Sequence, residues 1–476
     1  MKVALIFDHF GPYHLARARA AAQEMDLTCI ELHAKSRSYG WEAGKAGANV
    51  ELVALPDTDL RGAQERRWLE SHLARALQEA KPDAVAINGW GDFMSAESLR
   101  WCVHNGVPAI VMSETTAWDE PRKPLREWIK GRMVKMFSAG LVGGLPQREY
   151  LGQLGLPEEM VEIGYDVVDN DHFADEAAKV REELRAKSEE IRARMPEAGE
   201  RRSEPEAYFL ASARFIPKKN LGCLIEAYAQ YSRRSDVSRS AAKTGCCATK
   251  DQSSNTAQRK PWDLVLLGDG PMRGELMKKA MDLGLEVREG APRECSDGVA
   301  GGGSRLASEE TDVGEQMSDL GCQRSGERDG RACGVLWLPG FRQIGELPRF
   351  YAGAGCFVHA STTEQWGLVV NEAMACGLPV IVSERCGCAR DLVKDGVNGF
   401  RFDPWNVEQL AALMTKVSAP GFPRADFGEA SRRIVVDFGP ERFAHGLKAA
   451  ASHAVKKGAH RPSLLDRLIL DLVCRR

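Results

Sequence analysis

The chain has 476 residues, 43% of them hydrophobic and 28% charged, with a net charge of −3. That length exceeds a single core and argues for two domains, and the near-neutral balance excludes a global attraction to nucleic acid. The apolar runs are too short or too broken to span a bilayer: "MKVALIF" stops at Asp8, and "LLDRLILDLVCRR" is interrupted by Asp466, Arg467 and Asp471.

The expected compartment is the cytoplasm. The thirteen cysteines fit that expectation. Cys29, Cys102, Cys356 and Cys376 stand in core-like contexts, and no CxxC pair has zinc spacing, so reduced thiols are expected rather than a disulfide framework.

The first half alternates strand and helix. "KVALIF" reads as a buried strand, "DHFGPYH" as a turn, "LARARAAAQEM" as a helix and "LTCIELH" as the next strand. "WLESHLARALQEA", "AVAIN", "AESLRWCVHNG" and "PAIVMS" continue the rhythm, with "MFSAGLVGG" and "MVEIGYDV" as later strands or their loops. Strands separated by helices of this length require right-handed crossovers and a parallel sheet.

From about Asp171 to Glu206 the sequence turns charged and helical, which predicts a solvated linker helix. The alternation then resumes with "AYFLASARF", "LGCLIEAYAQYS", "DLVLLGDG" and "MRGELMKKAMDLG". It continues through "VLWLPGF", "CFVHAS", "LVVNEAMACG" and "PVIVSE". Two stretches, 235–262 and 291–334, are rich in Gly, Ser and charge and are expected to be disordered insertions. They carry Cys246, Cys247, Cys295, Cys322 and Cys333 at irregular spacing. Two doubly wound halves place a ligand between the carboxyl ends of their sheets.

Candidate chemistry clusters in the second half. In "ARFIPKKN", Arg214 follows a strand and Lys219 stands five residues on, before a helix. Two cations on such a loop suit a diphosphate, Arg as a fork and Lys as a point charge. A solvated basic loop is the alternative. In "TTEQWGLVVNEAMACG", Glu364 falls on a loop, Gly367 just before a helix, and Glu372 one turn inside it. The amides of Leu368, Val369 and Val370 then form an anion site at the helix N-terminus. Carboxylates placed there fit neutral hydroxyls such as a ribose diol. A metal pair is disfavoured, because no His or Asp accompanies the two glutamates. "LLGDGPMRG" departs from G-x-G-x-x-G and reads as a strand end and tight turn.

The series "RFIPKKN", "LLGDGP", "PGF", "EQWGLVVNE", "AMACGLPVIVS" and "DLVKDGVNGFRFDP" resembles the retaining GT-B glycosyltransferases of family 4, group 1. The match covers about 200 residues of the second half. "FDHFGPYHLARA" and "IGYDVVDNDHF" resemble the family's glycine loop and interdomain segment more loosely.

The resemblance implies an α/β protein of GT-B class, two Rossmann-like doubly wound domains facing a central cleft. It implies metal-independent transfer of a sugar from a UDP-, GDP- or ADP-linked donor, with no cofactor required. Arg214 and Lys219 would hold the donor diphosphate, with Leu368 to Val370 adding their amides. Glu372 would bind the ribose, and Glu364 the sugar hydroxyls. Gly340, Phe341 and Arg342 would lie beside the base, and Gly11 would let the first domain close. Where many members carry a His after the strand equivalent to "PAIVMS", this chain has Glu114 in "SETTAW". Its role is open between contact with a sugar or the acceptor and a loop carboxylate. His9 and His14 flank Gly11; contact with the acceptor is one reading of either, and a structural or solvated histidine is the one read first.

The expected division is 1–173 as the acceptor-side domain, 174–206 as the charged linker, 207–445 as the donor domain, and 446–476 as helices crossing back. The acceptor is a sugar or lipid-linked molecule of unidentified kind, as in cell-surface polysaccharide or glycolipid synthesis. In 122–137, Arg122, Arg126 and Lys130 recur every four residues beside Leu125, Trp128, Ile129 and Met136. That pattern suits a basic helix touching the inner face of a membrane, or a helix simply packed on the sheet. An epimerase, a phosphorylase or a non-catalytic nucleotide-sugar binder are the alternative functions.

Overall fold

The computed structural model describes residues 1–33, 49–56, 58–194, 207–243, 260–292 and 334–475. Two seven-stranded sheets organise it. In the first, Lys2–Phe7 (β1), Asp26–Glu31 (β2), Glu51–Ala54 (β3), Ala84–Asn88 (β4), Ala109–Ser113 (β5), Ala139–Val142 (β6) and Val161–Ile163 (β7) pair in the order β3-β2-β1-β4-β5-β6-β7. In the second, Tyr208–Ser212 (β8), Asp263–Leu267 (β9), Glu286–Glu289 (β10), Val335–Gly340 (β11), Ala354–His359 (β12), Val380–Ser383 (β13) and Gly399–Phe402 (β14) run β10-β11-β9-β8-β12-β13-β14.

The pairings are parallel. Helices cover both faces, which is why β1, β5 and β13 are near-continuous apolar runs rather than alternating ones. Chain order reverses between β1 and β4 in the first sheet and between β8 and β12 in the second. Ligands of open parallel sheets bind outside such switch points, where the two following loops diverge. Gly11 and Tyr13 follow β1; Arg214 follows β8, and Glu364 follows β12.

Four expectations about the organisation change. The first helix, Pro12–Glu24, begins inside the expected turn: Pro12 takes the first helical position, where its missing N–H costs nothing. The helix Asn170–Arg194 is not a solvated linker along its first turns. Phe173 and Ala177 are fully buried in the second core, and Arg181 donates to the carbonyls of Ala352 at 3.3 Å and Cys376 at 2.6 Å. Burying Phe173 alone contributes about 2–3 kcal/mol, enough to dock a mostly charged helix.

The chain crosses back at the helix Pro440–Lys457 rather than at 446. Phe443, Ala444, Leu447, Ala450, Ala451 and Ala454 are buried in one core with Val3, Leu5, Leu15 and Ala18. The helix Leu464–Arg475 then packs its Ile469, Leu470 and Cys474 into the other core of the first sheet. Helix Leu221–Lys243 runs into the first expected insertion, and Trp262 packs on Phe209 with ring centroids 5.0 Å apart. The remainder of both insertions lies outside the described residues, with their five cysteines. The eight described cysteines are all free thiols.

Candidate active site

The β8 loop is held by main-chain contacts. Gly268 and Gly270 have φ of +131° and +153°, and a Cβ there would meet the Ala213 carbonyl oxygen at 2.0 Å and Phe215 backbone at 2.8 Å. The Phe215 amide donates to Asp269 at 2.8 Å, so the GDG turn is a clamp under the Arg214 loop. Asn220, at φ 54°, locks the far side through Ala360 and Pro404 carbonyls at 3.2 and 2.7 Å. Arg214 is exposed at the crest of this loop.

Lys219 points inward and its ammonium donates to Glu364 Oε2. His359 Nε2 also contacts that oxygen at 3.2 Å, and Ser361 Oγ lies 3.4 Å from it. Burial raises the pKa of Glu364, but the hydrogen bond from His359 and the charge of Lys219 outweigh it and hold the carboxyl well below the usual range. Burial foremost keeps the pKa of His359 below its ordinary value, against the neighbouring Glu364 carboxylate, which raises it.

Gly367, at φ +104°, turns the chain into the helix Leu368–Ala375. One expected anion donor is lost: the Val370 amide is taken by the Gly367 carbonyl at 2.9 Å, because the turn is tight enough to close a hydrogen bond on itself. The amides of Leu368 and Val369 head the helix and remain the donors for an anion.

Glu372 follows, fully buried. Its Oε1 accepts the Tyr13 hydroxyl at 2.8 Å and its Oε2 the Tyr351 hydroxyl at 2.7 Å. Burial lifts its pKa to about 7 against those two hydrogen bonds. Tyr13 belongs to the first domain, so in this conformation a phenol sits on the carboxylate where a ribose hydroxyl was expected. On the neighbouring strand end, Gly340 has φ +83°, Phe341 is 40% exposed, and Arg342 Nε lies 3.8 Å from Glu346. These three form a rim after β11.

The first domain faces this rim with its own loops. Gly11 has φ −71°, and a Cβ there would find only His14 at 3.8 Å, so nothing in this conformation requires glycine. Burial, then Arg17 and His9, lower the His14 pKa to about 3, and its ring packs on Phe7 with centroids 4.3 Å apart. His9 Nδ1 lies 2.9 Å from Glu31. Both histidines are therefore held by neighbours of their own domain.

Glu114 stands at the end of β5, half-buried, against fully buried Asp166 and near Arg17 and Glu364. Burial raises the pKa of both carboxyls, that of Asp166 furthest. A cavity of about 210 Å³ opens between β1 and β4, lined by Asp8, Asn88, Asp92, Ser95 and Ser98 among others.

The two sides meet directly. Trp118 Nε1 donates to the Arg385 carbonyl at 3.2 Å, and Arg385 returns a bond to the Trp118 carbonyl at 3.3 Å. Gln147 reaches the Gln365 carbonyl at 2.5 Å, and Arg390 grips Glu149 at 2.8 and 2.9 Å. Fully buried Trp366 lies against Gly143 and Gly144, where a Cβ would approach its ring within 2.9 and 2.6 Å.

Tyr13, Arg17, Asp166, Tyr351, His359 and Trp366 were not singled out by sequence. Asp166 and His359 stood inside the quoted "IGYDVVDNDHF" and "CFVHAS", but nothing local marked them. Among the described residues, no group of three or more His, Cys, Asp or Glu is placed to hold a metal. None of the described helices is long and apolar enough to cross a membrane.

The helix Pro124–Val134 is less basic outward than its sequence suggested. Lys130 pairs with Glu120 at 2.7 Å, and Arg122 stacks on Tyr150 at 4.4 Å, because Glu120 and Glu127 draw both cations back to the protein. Leu125 and Trp128 stay outward, 69% and 49% exposed.

Residues 335–434 match the family model described as Glycosyl transferases group 1. A sucrose synthase 2 of Pisum sativum is 41% identical over 71 residues, 15% of this chain and 9% of that protein. A D-inositol 3-phosphate glycosyltransferase of Segniliparus rotundus is 33% identical over 150 residues, 31% of this chain and 33% of that protein. The matched segments thus span a third or less of these relatives. A crystal structure of Anabaena HepE in complex with UDP and glucose superposes with a TM-score of 0.58 at 15% identity, covering 95% of this chain and 99% of the other. The fold is that of the GT-B proteins: two parallel-sheet, Rossmann-like domains.

Proposed function

We propose that this GT-B chain is a retaining, metal-independent glycosyltransferase of family 4 that moves a sugar from a nucleotide-sugar to an acceptor hydroxyl. One observation carries the reading. Arg214, Lys219, the head of the Leu368–Ala375 helix and two glutamates converge on the switch point of the second sheet, opposite the loops of the first. The match to the group 1 glycosyltransferase model over 335–434 supports it, as does the likeness to a UDP-bound fold.

Arg214 and the amides of Leu368 and Val369 receive the diphosphate. Lys219 serves both its neighbour Glu364 and the leaving phosphate. Positive charge and amides fixed before reaction stabilise the charge that builds on the departing oxygen, and they need no reorganisation at that moment. Glu364 accepts from sugar hydroxyls, and its low pKa keeps it an acceptor at neutral pH. Glu372 takes the ribose once Tyr13 gives up Oε1. The rim at Gly340, Phe341 and Arg342 lies beside the base. The acceptor enters from the first domain by the cavity at Asp8, Asn88 and Asp92, and its proton leaves with a phosphate oxygen on the same face.

The donor is UDP-, GDP- or ADP-linked. The acceptor is a sugar or a lipid-linked sugar, reached at the cytoplasmic face of a membrane. Leu125 and Trp128 beside exposed Arg126 give that contact its surface. A thermal-shift screen of UDP, GDP, ADP and their sugars tests the donor, since a ligand of the native state raises stability with its affinity. One nucleotide is expected to stand out, with release of its diphosphate from the matching sugar. A flat screen with no released diphosphate overturns the reading. Sedimentation with anionic vesicles, compared between wild type and Leu125→Ser/Trp128→Ser, tests the membrane contact; equal binding overturns it.

A further inference from the structure

The helix Leu464–Arg475 turns Ile469, Leu470 and Cys474 into a core of the first domain, but its outer face is apolar as well. Leu464, Leu465, Leu468 and Leu472 recur at helical spacing on the side away from that core, and they are 86%, 44%, 56% and 54% exposed. A single exposed leucine is ordinary; four on one helix of 12 residues mark a contact surface.

The patch continues onto a second helix. Arg132 Nη2 holds Asp466 Oδ1 at 2.6 Å and Ser463 Oγ at 3.1 Å, which joins Pro124–Val134 to the start of Leu464–Arg475. Leu125, Trp128 and Arg132 stand at i, i+3 and i+7, one stripe of the Pro124–Val134 helix. That stripe leads from exposed Leu125 and Trp128 through Arg132 to Ser463 and Leu464, so the two helices share one apolar face.

Charge identifies what covers it. The exposed charged side chains among the described residues of the two helices are Arg126, Arg467 and Arg475, and Lys123 and Arg461 stand exposed just ahead of them. The acids are withdrawn. Asp466 is buried under Arg132, Asp471 is half-buried, and Glu120 and Glu127 are paired with Lys130 at 2.7 and 3.1 Å. The chain as a whole carries −3, so this excess of cations is local. A second copy docked on the same patch would set cation against cation. A lipid interface with anionic headgroups complements both features. Leucine and tryptophan enter the acyl boundary, while the arginines lay their stems along it and keep their guanidinium groups among the headgroups. Twelve residues rise only ~18 Å, short of the hydrocarbon core of a bilayer, so such a helix lies in the plane of the surface.

We propose that the helix Leu464–Arg475 is an in-plane membrane anchor, which together with Pro124–Val134 docks the first domain on an anionic lipid surface. This surface extends the contact proposed at Leu125 and Trp128, and it rests on that reading only for its second helix. The acceptor-side domain is then the one that sits on lipid.

The test is sedimentation of the full chain with vesicles of phosphatidylcholine alone or of phosphatidylcholine mixed equally with phosphatidylglycerol. Wild type is expected to bind the anionic vesicles at least about tenfold more tightly, a preference that high salt removes. Leu464→Ser/Leu468→Ser/Leu472→Ser should weaken that binding about tenfold or more, with an unchanged melting temperature because the three side chains face solvent. Arg467→Glu/Arg475→Glu, which leaves every apolar side chain in place, should also lose at least about tenfold on anionic vesicles. Wild type that binds no vesicle, or wild-type binding by both variants, overturns the anchor. A dimer that the leucine variant dissociates, with no vesicle binding by wild type, overturns it in favour of a second copy. If only Leu125→Ser/Trp128→Ser loses binding, the anchor falls and the earlier contact stands; if only the Leu464–Arg475 variants lose it, the anchor stands and the earlier contact falls. No arm contains a nucleotide, so failure of the glycosyltransferase reading leaves the result in place.

Discussion

Glu364 and Glu372 sit on one loop-and-helix segment, eight residues apart, yet the fold gives them opposite surroundings. Glu364 is ringed by an ammonium, an imidazole and a hydroxyl, and stays ionised far below neutral pH. Glu372 meets only two phenols in an apolar core and titrates near pH 7. Burial penalises both carboxylates; partner charge decides between them. Sequence spacing alone suggested an acid–base couple. The structure makes one end of the cleft ionic and permanent, and the other neutral and exchangeable.

The sharpest way to break this contrast is Lys219→Ala. It strands a buried carboxylate, so stability should fall by about 3–5 kcal/mol, and turnover of the donor by ~10³-fold or more. Denaturant unfolding and released diphosphate report the two effects. Adding Glu364→Gln should restore stability without restoring turnover. If the double variant is as unstable as the single, the pair is not what holds this end.

At the other end the sign reverses. Folded Glu372 keeps its proton up to about pH 7, and a free glutamate only to about 4.5, so stability falls as pH rises through that window. The drop is about 3 kcal/mol. Glu372→Gln should flatten the profile between those two pH values, and an unchanged slope would place the titration elsewhere.

A smaller effect is expected from Tyr13→Phe, which frees Oε1 of Glu372. Nucleoside diphosphate should bind ~3–10-fold tighter, the net worth of one ordinary hydrogen bond. Weaker binding would mean that the phenol touches nucleotide itself. Smallest of all, Gly11→Ala should change stability by no more than about 0.5 kcal/mol, since its backbone and surroundings admit a methyl group; any loss should appear only in donor turnover.

The sequence made the ionic end largely legible, because Arg214, Lys219 and Glu364 occupy loops whose place follows from strand order. The exchangeable end was not legible. Tyr13 and Glu372 are 359 positions apart, and no local pattern pairs them. Asp166 was hidden for the same reason, its neighbour Arg17 arriving from the helix Pro12–Glu24. The helix Asn170–Arg194 misled through composition: a few buried residues such as Phe173 dock it, while its charges dominate the count. Val370 misled through detail, since only the geometry of the Gly367 turn shows its amide already in use.

The helix Pro440–Lys457 has a consequence for the order in which the molecule matures. Its buried face completes a core that the first domain otherwise builds from residues between 3 and 167. Emerging from a ribosome, the leading domain must therefore wait, with part of its apolar surface uncovered, while the whole trailing domain is made. Domains commonly fold as they are synthesised, first one and then the next. Here the second is free to finish before the first, and a helix translated after the second domain closes the fold of the first.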